Sequence, residues 1–452
     1  MEHLTLADAV AACDGKPTGD LPMDTPLCDV CIDSRAASPG SLFVPIAGDR
    51  FDGHDFIAQA LAAGAISALT SRDTAAPRPL IRVRDTAAAF QAIAGAYRSL
   101  FSIPFVGITG SVGKTTTKEL IYCVLSQQYN TLKNEGNLNN QTGVPLTLLR
   151  LTNAHEVAIV EMGTNHFGEI DALAKIVRPD VCVFTNIGDA HIQHLGSREG
   201  ILQAKCEMLP YRSPDAPIIV NGEDPLLRAL KDSYDNVLTY GTDSACDVYA
   251  SDIVELGLEG TRFIAHFGDE RLPVTVPAPG SYMVLRALCA LCVGLALDVE
   301  PAKIAAGIEG YTPMSGRMAI VKTPRYTLIN DAYNANPTSV AASIDVATAS
   351  KGRSVLILGD MFELGKDELK YHREIGEYAV RRKADRILCV GTLSKAMYEG
   401  AEQAGGNAAY FTDKEALLRA LPAILQKGDT VLIKASNGMK LQDVAQYIEE
   451  NL

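Results

Sequence analysis

The sequence predicts an α/β protein of three domains, and three observations carry that prediction. Its 452 residues exceed what one hydrophobic core organises. A strand, a Gly-rich turn and a helix follow one another between Ile103 and Leu125. From about Ser315 onward, YTLINDAYNANPTS, SVLILGDMFELG, DRILCVGT and DTVLIKASNGMK are apolar strands that end in polar residues, with helical stretches between them. That alternation is the mark of a doubly wound domain with its ligands at the carboxyl strand ends. The boundaries read as 1–100 for a small α/β domain, 101–313 for a central domain with a mostly parallel sheet, and 314–452 for the doubly wound domain.

The first hundred residues alternate short strands and helices. Asp33, Ser34 and Arg35 end one strand, and SLFVPI is the next. The loop from Gly48 through Asp52 and Gly53 to His54 is polar and is expected to cap a helix beginning near Asp55. Ordinary turns and a charged-ligand site both account for these residues.

The central domain opens with IPFVGITGSVGKTTTKE. Gly110, Ser111, Val112 and Gly113 form a turn whose amides can close on phosphate oxygens at a helix N-terminus. Lys114 is placed to reach the β/γ-phosphates and Thr115 to hold Mg²⁺, with Thr116 beside it. The first Gly of the G-x-x-x-x-G-K-[ST] pattern falls on Ile108, and Gly107 lies one residue early. The strand–turn–helix context favours phosphate binding over an ordinary turn.

Three further features follow in this domain. Asn137, Asn139 and Asn140 crowd one loop, as turn formers or as hydrogen-bond donors to a reacting carboxylate or phosphate. Glu161 ends the apolar strand Val157–Val160, a position suited to Mg²⁺. Asn186 and His191 follow the strand Val181–Phe184 on the same side. In SREGILQAKCEML, Lys205 falls on the stripe of Ile201, Met208 and Leu209. Burial lowers a lysine pKa, and a neutral amine can take up CO₂ as an anionic, metal-ligating carbamate. Taken alone, a snorkelling lysine is the simpler account.

Composition narrows the classes. Apolar content of 47% and charged content of 21% suit a well-packed globular protein, and a net charge of −13 argues against nucleic-acid or anionic-membrane partners. The start, MEHLTLADAV, has neither the basic nor the apolar region of a leader, so a cytoplasmic protein is expected. Ten cysteines include Cys28/Cys31 and Cys289/Cys292, but neither pair has the surroundings of a zinc site, and reduced thiols are expected.

Together these segments resemble the ATP-dependent Mur ligases of peptidoglycan synthesis along essentially the whole chain. TGSVGKTT, Glu161 in EMGTNHFGEI, Asn186 and His191 in TNIGDAHIQHLGS, and Lys205 in AKCE fall in the family's order. DAYNANPTS, LGDMFELG with His372 after it, and KASNGMK resemble the member whose acceptor is the dipeptide D-Ala-D-Ala. The resemblance implies a UDP-sugar-binding first domain, a central P-loop ATPase domain and a Rossmann-like C-terminal domain. It implies UDP-MurNAc-tripeptide and D-Ala-D-Ala as substrates, ATP and Mg²⁺ as cofactors, and a monomer.

By the same resemblance, Ser34, Arg35 and the Gly48–His54 loop face the uridine nucleotide. Thr115 and Glu161 hold one Mg²⁺, and His191 with a carbamate on Lys205 holds a second, which reverses the snorkelling account. Lys114, His191, Lys205 and Asn137 are the catalytic set, and Asn139 and Asn140 contact substrate. Arg317 approaches the γ-phosphate, Asp331 the ribose and Asn334 the nucleotide. Lys434 and Ser436 are candidates for the dipeptide's carboxylate. One departure stands out: PGSYMVLRA carries Tyr282, Met283 and Arg286 where the family shows a His-Asn pair and a further Asn. Two rivals are a sister ligase adding the third amino acid, which would carry a different C-terminal motif, and a P-loop kinase or nucleotide switch, which would need neither Lys205 nor flanking domains.

Overall fold

Side-chain periodicity and strand register account for most of the architecture in the computed structural model, which describes residues 1–48, 51–76, 79–188 and 192–452. It is an α/β structure with five-, nine- and six-stranded sheets. The chain divides into two compact units that exchange it repeatedly, the first made of Met1–Thr109, Gln128–Val183 and Gln203–Ile218. The second comprises Gly110–Gln127, Phe184–Leu202 and Ile219–Leu452.

In the first unit, the five-stranded sheet runs Lys16–Thr18, Leu80–Arg82, Ser67–Thr70, Ser41–Phe43, Asp29–Cys31. Only its Lys16–Thr18 edge is antiparallel. Cys31, Phe43, Ile57 and Ala68 form part of the core beneath it. The polar loop leads first into a 3₁₀ turn, Gly53–Phe56, capped by the Asp52 side chain, and the α-helix begins only at Ile57. Part of that loop, residues 49–50, lies outside the described residues. The same unit carries the parallel strands Phe105–Thr109, Val157–Glu161 and Thr131–Lys133, adjacent in that order. Phe105–Thr109 and Val157–Glu161 are buried at every residue, as continuous apolar runs in parallel sheets are.

In the second unit, the strands Val248–Glu255, Thr261–Phe267 and Glu270–Val276 form an antiparallel meander. The apolar Tyr282–Ala296 helix packs against the Lys114–Leu125 helix, and Cys289 and Cys292 are buried on it. All ten cysteines are free thiols. The six-stranded sheet runs Ala319–Lys322, Thr327–Asn330, Thr430–Lys434, Ser354–Gly359, Arg386–Val390, Ala408–Phe411. All its pairings are parallel except the Ala319–Lys322 edge. Helices cover both faces, and two separate apolar clusters fill the space beneath them. Among the described residues, no helix is long and apolar enough to cross a membrane.

Candidate active site

The Phe105–Thr109 strand delivers the chain to a turn that only glycine permits at two points. Gly110 has φ +152°, and a Cβ there would collide with Thr185 Oγ1; Gly113 has φ +85° and caps the Lys114–Leu125 helix. The turn is pinned from the segment after Val181–Phe184. Asn186 accepts from Ser111 N through its carbonyl (3.0 Å) and from Val112 N through Oδ1 (2.8 Å). Thr185 Oγ1 donates to the Val112 carbonyl at 2.8 Å, and Gly188 N donates to Ser111 Oγ at 2.9 Å. Lys114 Nζ donates to the Gly110 carbonyl at 2.7 Å, folding its charge over the turn, and Thr115 and Thr116 are buried behind it. A Gly-permitted turn at a helix N-terminus with a lysine folded over it has the amides and the charge that suit a phosphate.

Glu161 stands in the first unit opposite Ile108 in register, one residue before the end of the neighbouring strand. Its backbone is clamped on both sides by Asn134, whose Oδ1 accepts from Glu161 N (2.9 Å) and whose Nδ2 donates to Glu161 O (2.8 Å). Asn139 Nδ2 donates to Glu161 Oε1 at 2.7 Å. The other oxygen, Oε2, is buried and has no hydrogen-bond partner among the described residues. A buried carboxylate oxygen left bare fits a hard, oxygen-seeking cation such as Mg²⁺. Of the three loop asparagines, Asn139 makes this contact. Asn137 is exposed, and Asn140 Oδ1 accepts from Gly143 N (2.8 Å) and Thr142 N (3.2 Å) at the start of the next helix.

His191 lies outside the described residues. Lys205 lies in the Arg198–Cys206 helix with 2% of its surface exposed, which a snorkelling lysine would not show. Burial also pushes the neighbouring Cys206 thiol up to about 11. Asp224 was not singled out from sequence, yet its buried carboxylate accepts from Ile187 N at 2.7 Å. Arg198 donates to the Ile187 carbonyl at 2.7 Å.

In the doubly wound domain, the buried Lys434 forms an ion pair at 2.5 Å with the partly buried Asp331. Lys434 Nζ also donates to the Asn334 carbonyl (3.1 Å), and Asp331 accepts from Ser343 Oγ (2.6 Å) and Met318 N (3.0 Å). Lys434 thus ties two adjacent strand ends together, and it is 3% exposed. The Arg317 guanidinium lies 3.8 Å from the Tyr333 ring centroid. Ser436 Oγ accepts from Phe362 N at 2.9 Å, joining KASNGMK to the DMFELG loop. His372 is fully buried: Nε2 accepts from Met361 N (2.9 Å), while Nδ1 lies 2.7 Å from the Glu368 carbonyl. Burial lowers its pKa below the ordinary histidine value.

At the amino end, Ser34 Oγ donates to Gln59 Oε1 at 3.2 Å and is buried. Arg35 is exposed and pairs with Asp33 at 2.6 Å, a contact that holds the Asp33 carboxyl down to about 2. Gly48 N donates to the Phe51 carbonyl, and a Cβ on Gly53 would strike the Ile46 backbone. Asp52 accepts from His54 N and sits 2.8 Å from Arg72, and the backbone bond from His54 lowers its pKa.

Comparison with known proteins relates the chain to one family. Three Mur ligase family descriptions match the chain in order: "Mur ligase family, catalytic domain" over residues 29–98, "Mur ligase middle domain" over 108–294, and "Mur ligase, glutamate ligase domain" over 316–437. The UDP-N-acetylmuramoyl-tripeptide–D-alanyl-D-alanine ligase of Bacillus subtilis is 38% identical over 93% of each chain. The crystal structure of MurF from Acinetobacter baumannii superposes with a TM-score of 0.92, at 31% identity over 99% of each chain. MurF ligase from Thermotoga maritima in complex with ADP gives 0.84 at 28% identity, covering 93% of this chain and 97% of its own. With the P-loop, the acidic strand end and the doubly wound C-terminal domain all in the family's order, this chain belongs to the Mur ligase family.

Proposed function

We propose that this chain is an ATP-dependent amide ligase that joins D-Ala-D-Ala to UDP-MurNAc-tripeptide in cytoplasmic peptidoglycan-precursor synthesis. The observation that carries the reading is the pairing of two features in one chain. A lysine-bearing phosphate cradle follows the Phe105–Thr109 strand, and a carboxylate with one bare buried oxygen ends its parallel neighbour. Relatives named for this reaction extend along nearly the full chain and support the choice of acceptor.

The chemistry follows from charge. The tripeptide's terminal carboxylate attacks the γ-phosphate of ATP, and two anions repel. Lys114 supplies positive charge where negative charge develops, and the amides of the Gly110–Lys114 turn hold the phosphates in line. Glu161 and Thr115 are Mg²⁺ ligands in this reading, with His191 and a carbamate on Lys205 serving a second ion. Bound Mg²⁺ neutralises phosphate charge and stabilises the transferring group. Asn134 and Asn139 orient Glu161, while Thr185 and Asn186 orient the turn. The acyl phosphate is then attacked by the free amine of D-Ala-D-Ala, giving amide, ADP and phosphate. Arg317, Asp331 and Asn334 serve the nucleotide from the third domain. Lys434, expected from sequence to anchor the dipeptide's carboxylate, is buried against Asp331 and the Asn334 carbonyl and serves the nucleotide by holding them, and Ser436, expected in the same role, fixes the DMFELG loop. Ser34, Arg35 and the Gly48–His54 loop face the uridine nucleotide.

The spans of the three family matches support domains at 1–100, 101–313 and 314–452. In this reading the chain acts as a monomer. Phosphate release measured with UDP-MurNAc-tripeptide, ATP and Mg²⁺ is expected to be rapid with D-Ala-D-Ala and far slower with single amino acids. If UDP-MurNAc-dipeptide with a diamino acid is the faster pair, the chain is the sister ligase.

A further inference from the structure

The Tyr282–Ala296 helix carries a cation that the reaction described so far does not use. Arg286 is half-buried on this helix. Its guanidinium lies 4.5 Å from the Tyr282 ring centroid, and its Nη1 is 3.5 Å from Met283 Sδ. Among the described residues it pairs with no carboxylate. It lies instead at the phosphate cradle: a Cβ on Gly113 would sit 2.9 Å from Arg286 Nε and 3.0 Å from Nη2.

A second guanidinium is in the same condition. Arg317 stacks on Tyr333 and, among the described residues, pairs with no carboxylate. Both cations act on the buried Tyr311 hydroxyl: desolvation raises its pKa to about 12, Arg286 and Arg317 pull against that shift, and the Glu119 carboxylate adds to it. Two half-buried guanidiniums within electrostatic reach of one phenol repel each other. Neither has an ion-pair partner among the described residues of a chain with net charge −13, which leaves both available to an anion from outside.

We propose that Arg286 is a nucleotide-binding residue of this chain, its guanidinium contacting the polyphosphate held by the Gly110–Lys114 turn, with Tyr282 as the positioning residue beneath it. A guanidinium laid on an aromatic face keeps its in-plane N–H donors available for bidentate contact with phosphate oxygens, which an ammonium cannot do in the same way. Tyr282 also packs against the apolar cluster that includes Ile329, Ile344 and Leu358. The orientation of Arg286 therefore depends on packing by the doubly wound domain. The Tyr282 and Arg286 side chains thus connect the phosphate cradle to the packing of that domain.

The inference rests on the ATP-dependent reading of the site, and the test separates the two. ADP binding to the full-length protein is measured by calorimetry, at several salt concentrations, for wild type, Arg286→Ala and Arg286→Lys. Arg286→Ala is expected to weaken ADP binding roughly ten- to a hundredfold, the range for losing a charge-assisted contact. Its affinity should also fall less steeply with salt than that of the wild type. Arg286→Lys should recover part of the affinity and most of the salt dependence. UDP binding serves as the folding control and should be unchanged in both variants. An ADP affinity for Arg286→Ala within twofold of wild type, or a loss with unchanged salt dependence, overturns the role of Arg286. If Arg286→Ala fails the UDP control, Arg286→Lys decides: ADP affinity weakened by more than twofold with most of the salt dependence kept supports the guanidinium contact, and an unchanged affinity or a shallow salt dependence overturns it. A wild-type protein that does not bind ADP overturns the ligase reading instead.

Discussion

At the scale of single residues, the chemistry depends on charges the fold leaves ready for use. Lys114 lies over its own turn, bonded to the Gly110 carbonyl, so its ammonium is in place before any phosphate arrives. Lys114→Ala is expected to lower turnover by at least ~100-fold, the scale for removing one preorganised electrostatic group. Steady-state phosphate release checks this, and activity within a few-fold of wild type would take the cradle out of the mechanism. Lys205 poses the opposite problem, a lysine in a nearly closed environment at 2% exposure. If it carries a carbamate, Lys205→Ala should be almost inactive, and short carboxylic acids should restore part of the activity by replacing the lost anion. Mass spectrometry under CO₂ showing only a bare amine, together with no rescue, would refute it. The apolar stripe around Lys205 was legible in the sequence. Asn134 was not distinguishable from its neighbours in KNEGNLNN, because what selects it is register. Lys133 pairs with Ile159, so the next residue reaches the backbone of Glu161.

At the scale of elements, strands with continuous apolar runs were the most legible, since burial on both faces demands that composition. The Val157–Glu161 and Val181–Phe184 strands have the bounds that their β-branched runs indicate. The start of the helix after His54 was less legible, because Asp52 caps a 3₁₀ turn that precedes the α-helix. Local capping chemistry looks the same for both. The Glu368–Arg381 helix shows what an element adds to a residue. It buries His372 so that Nε2 must accept from Met361 N in the DMFELG loop, just past the Ser354–Gly359 strand. Only the unprotonated ring can do so, and its folded pKa lies below the ordinary 6.5. The unfolded chain therefore binds more protons between the two values, and stability rises with pH across that window. The contribution is complete above about pH 6.5 and is lost as pH falls below it. Chemical denaturation of wild type and His372→Gln from pH 7.5 to 5 should show the wild type's advantage shrinking with acid. A constant gap would mean that His372 does not titrate on unfolding.

At the scale of the whole molecule, domain number and order could be read from strand–helix alternation, but the connections that make the site could not. The chain passes between its two compact units five times, an exchange that no local sequence signal marks. Asp224, which braces Ile187 from 37 residues away, carries no local signal. The bare Oε2 of Glu161 has a further consequence for the protein outside catalysis. A buried carboxylate oxygen without a hydrogen-bond partner costs the folded state stability, whereas the unfolded chain hydrates the same carboxylate freely. A cation that binds only the native protein reverses that imbalance by mass action, contributing about 2.7 kcal/mol at a hundredfold excess over its dissociation constant. Adding Mg²⁺ without nucleotide should therefore raise the melting temperature of the wild type and leave Glu161→Gln unmoved. Equal shifts in the two proteins would place the ion elsewhere. If Glu161 binds the ion in this way, magnesium supply would govern how long the protein survives as well as how fast it works. Under starvation for the ion, the folded population opens more often, and cellular proteases, which act on the opened chain, shorten its lifetime.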